Sequence, residues 1–129
     1  MCFSYFAEQL LLSFGLHLSL HSLFLLVSAE ELCASDTFTA SCSANEAVFI
    51  ETAFYGRMYN SRCFSMTKNE TECVVDFRLE IQKHFGVRQS IRFDLLNEIF
   101  TEKKPSCIGE RPPSLDITHR CLRCKSAIH

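Results

Sequence analysis

Seven cysteines are scattered from Cys33 to Cys124 of a 129-residue chain, and no other feature limits its possible folds so sharply. They are Cys33, Cys42, Cys63, Cys73, Cys107, Cys121 and Cys124, and an eighth, Cys2, stands near the start. A domain of this size buries only a modest part of the surface its unfolded chain exposes. In an oxidising compartment, cross-links worth typically about 2–4 kcal/mol each make up that shortfall. The other use of many cysteines is zinc, which needs them grouped as pairs of pairs. Here the one C-x-x-C, Cys121-Leu122-Arg123-Cys124, has no second half. Disulfides are therefore expected, and no metal or other cofactor.

The compartment is suggested by the N-terminus. Leu10 to Val27 is almost purely apolar apart from Ser13, Ser19, Ser22, His17 and His21. Val27-Ser28-Ala29 then offers small or β-branched residues where a signal peptidase reads, and Glu30-Glu31 follow. Residues 1–29 are expected to be a signal peptide cleaved after Ala29, which makes the protein secreted. The run lacks a preceding Lys or Arg, and Glu8 has the wrong sign. Its alternative is a membrane anchor over residues 10–27, close to spanning length. Two histidines in the middle penalise a permanent span. The rest has room for one domain, 30–122, with a tail over 123–129. A net charge of −2 gives no basic field for nucleic acid.

Hydrophobic periodicity places the elements. Asp36 to Ser41 alternates and reads as a strand. Ala47 to Met58 is a stronger one, with Val48, Ile50, Thr52 and Phe54 on one face and Phe49, Glu51, Ala53 and Tyr55 on the other. Gly56 ends that pattern and suggests a bend or bulge. Met58 to Cys73 reads as a long loop, and its Asn69-Glu70-Thr71 is an N-glycosylation acceptor at Asn69. Val74, Phe77, Ile81 and Phe85 recur at helical spacing, which predicts a helix over 74–85 closed by Gly86. Gln89 to Leu95 returns to alternation, and Leu96 to Phe100 suits a single helical turn. Thr101 to Pro113 holds all three prolines and reads as a surface loop, before a last strand over Ser114 to Leu122. The sum is an α+β domain: a small antiparallel β-sandwich with one main helix and long disulfide-tied loops.

Ile50-Glu51-Thr52-Ala53-Phe54-Tyr55-Gly56-Arg57, within this order of cysteines and helix, resembles the sea-urchin-egg-lectin type domain, the galactose- and rhamnose-binding lectin module of egg lectins and latrophilins. That family has a strand ending in Ala-Asn-Tyr-Gly-Arg, and the likeness spans Cys33 to Leu122. Six cysteines alone allow fifteen pairings. The resemblance implies Cys33 with Cys63, Cys42 with Cys121, and Cys73 with Cys107. A further family bridge after the helix is missing here, with His84 and Ser90 at its two positions. Cys124 is then left over, as a free thiol, a link to another chain, or a remnant of a downstream module.

The resemblance also implies a carbohydrate site at Tyr55, Gly56 and Arg57. Charged and amide side chains hold sugars by spanning neighbouring hydroxyls, and an aromatic ring packs against the C–H face. The family's other contacts have changed. Its acidic residue after the first cysteine is Ala34. Its Asp-Pro-Cys is Pro105-Ser106-Cys107, and its Lys-Tyr-Leu is Pro113-Ser114-Leu115. Each lost charge-assisted bond costs about 1.5–3 kcal/mol. The expected function is a secreted or cell-surface module for galactose- or rhamnose-type glycans with a partly degraded site; the alternative is the same fold used for an extracellular protein partner. No catalytic arrangement stands out, because the histidines are scattered and no nucleophile motif is present.

Overall fold

A computed structural model describes residues 27–124. The leader expected over 1–29 lies outside them except for Val27 to Ala29, as do tail residues 125–129. Among the described residues no helix is long and apolar enough to cross a membrane. The chain runs β1 (Ser28–Leu32), β2 (Thr37–Ser41), β3 (Glu46–Arg57), β4 (Cys73–Asp76), α1 (Arg78–Phe85), β5 (Ser90–Asp94), α2 (Glu98–Glu102), a 3-10 turn (Ser106–Ile108) and β6 (Ser114–Arg123). It is a small mixed α+β structure of antiparallel sheets. One sheet has the order β1-β6-β3-β4, and β2 pairs with β5 in a second.

The two sheets and both helices contribute to one core. Phenylalanine carries much of it, through the buried Phe38, Phe77, Phe93 and Phe100. Phe77 stacks on Phe100 at 5.4 Å, Tyr55 lies 5.0 Å from each, and Phe93 links Phe100 to Phe38. Such ring pairs add about 0.5–1.5 kcal/mol each beyond the area they bury.

Three sequence expectations need correction. The expected faces of β3 hold for Val48 and Ile50 but then reverse, because the β3–β6 register shifts between Ile50 and Thr52. The extra residue, Glu51, changes the phase of the alternation. Ala53 and Tyr55 therefore enter the core, Phe54 faces out, and Thr52 bonds Thr118 side chain to side chain at 2.7 Å. The bulge is at Glu51 and not at Gly56, which stays paired with Ser114 and Val74.

The helix expected from Val74 starts at Arg78. Val74 and Val75 are β-branched and instead extend the sheet opposite Gly56 and Tyr55. Phe77 makes the corner, donating its N–H to the Ala53 carbonyl at 2.8 Å while its own carbonyl receives Ile81 N–H. Gly86 ends α1 at φ +73° with its N–H on the Gln82 carbonyl. The expected turn near Leu96 is the helix α2, capped by Asn97 onto Ile99 N–H, so the described residues hold two helices.

The third correction is Cys124, which is disulfide-bonded and not a thiol without a partner. It is half-buried beside Ala47, Phe49 and Leu122, and its N–H donates to the Asn45 carbonyl at 2.7 Å. The other three bridges are Cys33–Cys63, Cys42–Cys121 and Cys73–Cys107, the pairs the resemblance implies.

His119 faces inward from β6 and meets the Phe38 ring edge-on at 5.4 Å. Burial holds its pKa below the ordinary 6.5, against a smaller opposing pull from Glu30. A depressed histidine favours the fold above the unfolded-state value, and that stability is lost as pH falls towards the folded value. The wild type should therefore melt a few degrees lower at pH 5.5 than at pH 7.5, above the carboxylate range. His119→Asn should flatten that slope, and an unchanged slope in calorimetry would exclude His119 as its source.

Candidate binding site at the end of β3

Tyr55, Gly56 and Arg57 close a strand flanked on both sides, by β6 through Ser114 and by β4 through Cys73. Alternation sends the Tyr55 ring into the core, where only 2% of the residue is exposed. Burial pushes its phenol pKa above the ordinary value, so it stays a neutral hydroxyl. Gly56 is present because its backbone runs against that of Cys73: an added Cβ would lie 1.8 Å from the Cys73 carbonyl oxygen, and φ is +150°.

Arg57 is the residue on which a sugar site would depend. Its side chain is 8% exposed. One terminal nitrogen donates to the Pro112 carbonyl at 2.9 Å, and the guanidinium carbon lies 4.2 Å from the centre of the Phe64 ring. The other terminal nitrogen is 3.7 Å from Glu70 Oε2. Nε is buried without a hydrogen-bond partner among the described residues. Glu70 serves two arginines, because Arg111 also bonds the same carboxylate oxygen. Its carboxyl is held below the ordinary range by the Thr67 N–H first, then by the charges of Arg111 and Arg57. Tyr59 donates its hydroxyl to the Glu70 carbonyl. The arginine is thus enclosed by two loops, before β4 and before β6, and ties them together.

The positions the resemblance points to are partly gathered here. Cys107 is bonded to Cys73, the partner of Arg57 in the β3–β4 ladder. Ser114 is fully buried, with Oγ 3.5 Å from the Gly56 carbonyl oxygen. Ala34 is half-buried and offers no acceptor. The nearest acid in sequence, Asp36, instead accepts the Cys33 N–H and an Arg62 nitrogen, both at 2.9 Å. Those two bonds, Cys33 first, lower its pKa. Asn69 is exposed in a turn, as a glycosylation acceptor requires.

Sequence reasoning missed Phe64, Glu70, Arg111 and Pro112. They lie in two aperiodic loops, and no spacing links residue 57 to residues 70 and 111. Among the described residues no group of three or more His, Cys, Asp or Glu side chains is placed to hold a metal ion. No family model and no curated protein matches the chain.

Proposed function

We propose that this is an extracellular binding module of the galactose- and rhamnose-lectin type, a small antiparallel sandwich built around α1, in which the strand end that contacts sugar in that family has become scaffold. Its partner on this reading is another extracellular protein. One observation carries the proposal: the Arg57 guanidinium is turned inward onto the Pro112 carbonyl and the Phe64 ring. A sugar hydroxyl would have to displace both to reach it. Ala34, Pro105 and Pro113, at the positions of the family's charged residues, supply no charge to compensate.

Several features support the setting and the partner. Three bridges accord with life outside the cytosol. Removal of a leader after Ala29 would leave Glu30–Leu32 paired with Ile117–Leu115, so β1 would survive as an edge strand. Phe54 and Val74, each 41% exposed, lie on adjacent strands. Aromatic side chains of this kind are enriched where proteins meet.

Retention of Tyr55-Gly56-Arg57 favours a second reading, in which galactose or rhamnose binding persists. A glycan array probed with the secreted, oxidised protein separates the two. The expected result is no signal that free rhamnose or galactose competes away at millimolar concentration. Sugar-competed binding that is lost in Arg57→Lys would restore the lectin reading.

A further inference from the structure

A hollow of about 490 Å³ opens beside the C-terminal end of α1, away from the strand end discussed above. Its origin is the register of the two-stranded sheet. Phe38, Ala40, Ile91 and Phe93 point into the core, so Thr39 opposite Arg92 and Ser41 opposite Ser90 point out. Arg88 and the Phe85 ring close the side next to α1. Phe85 is half-buried and anchored by stacking on Phe93 at 5.3 Å. Arg57, Arg62, Arg111 and Arg120 each have a carboxylate within ion-pair distance; among the described residues Arg88 and Arg92, like Arg78 and Arg123, have none, and only Arg88 and Arg92 share a hollow.

We propose that this hollow binds an acidic saccharide through its sulfate or carboxylate group. Guanidinium forks match planar or tetrahedral oxyanions with paired hydrogen bonds, and two stand here without an internal counter-charge. Three hydroxyls, from Thr39, Ser41 and Ser90, both donate and accept, as sugar hydroxyls demand. Phe85 supplies a ring for the C–H face. The volume falls in the range of small-ligand pockets and suits one or two sugar rings. The whole chain carries −2, so the positive spot is local and not part of a basic surface. This site uses nothing from Tyr55 to Arg57 and stands whether or not that strand end is scaffold.

The test is a titration of the isotope-labelled, oxidised protein followed by amide chemical shifts. The probes are a sulfated disaccharide, an unsulfated uronate disaccharide, a neutral disaccharide, an acidic peptide and inorganic sulfate. Saturable shifts confined to Thr39, Ser41, Arg88, Ser90 and Arg92 are expected with an acidic disaccharide and not with the neutral one. Which acidic probe acts identifies the sulfate or the carboxylate as the group bound. Arg88→Gln and Arg92→Gln should each weaken binding roughly tenfold, with the rest of the spectrum unchanged. The proposal is overturned by shifts elsewhere, by equal binding of inorganic sulfate, by an acidic peptide binding where both acidic saccharides fail, or by unaltered affinity in both variants. Neutral-sugar shifts at Tyr55 to Arg57 would instead overturn the scaffold reading and leave this one standing.

Discussion

Gly56→Ala is expected to lose about 4 kcal/mol or more of stability, enough to leave little folded protein. The new methyl would sit 1.8 Å from the Cys73 carbonyl oxygen and 2.8 Å from its carbon. Both are backbone atoms of the neighbouring strand, so no side chain can rotate away. That strand cannot retreat easily, because Cys73 is bonded to Cys107 and paired with Arg57. The positive φ adds strain of its own. Gly86→Ala is the control: φ is +73°, but nothing lies within 4 Å of its added Cβ. With ψ at −156° Gly86 sits in a backbone region populated essentially by glycine alone, so the change should cost that strain of about 1–3 kcal/mol and no steric clash. Urea unfolding of the oxidised variants measures both, and a wild-type midpoint for Gly56→Ala would sink the close-approach account.

The second large effect concerns the bridges. Cys42→Ala with Cys121→Ala opens a link across 79 positions, against 30 for Cys33–Cys63 and 34 for Cys73–Cys107. On the chain-entropy relation the first is worth about 4.5 kcal/mol, and the others about 3.7 each. Packing widens the gap. Cys42 follows β2 in one sheet, and Cys121 lies in β6 of the other opposite Val48, so this bond fastens the two sheets together. Its removal should abolish folding at 37 °C, while each shorter link is removed at smaller cost. Melting of the three paired variants gives the order directly. If Cys73→Ala with Cys107→Ala proved the most damaging pair, loop length would not be the controlling quantity.

The elements legible in the sequence were those with an undisturbed period. β2 and β5 alternate cleanly, and both are strands that bury every second residue. β1 was invisible because Ser28-Ala29-Glu30-Glu31-Leu32 buries fully only its last residue, which leaves no alternation to detect. The sequence masks β4 because Val74, Phe77 and Ile81 keep helical spacing across the corner at Phe77. Glu51 broke the facing of β3, and nothing in its neighbours marks where an extra residue will be accommodated. At the candidate site, Tyr55-Gly56-Arg57 was found from resemblance, but its inward direction depends on loops 13 and 54 residues farther along, at Glu70 and Arg111. Those pairings exist only once the fold is closed.

The strand order has a consequence for synthesis. β6, the last of the described strands to be made, lies inside its sheet between β1 and β3. Until it leaves the ribosome, both neighbours expose unpaired edges and Cys42 has no native partner to oxidise with. Native pairing of both edges must therefore wait for β6, and non-local β contacts form slowly and leave sticky surface exposed meanwhile. The ten residues of β6 thus control when either of these edges in the larger sheet is closed and when the link between the two sheets can form.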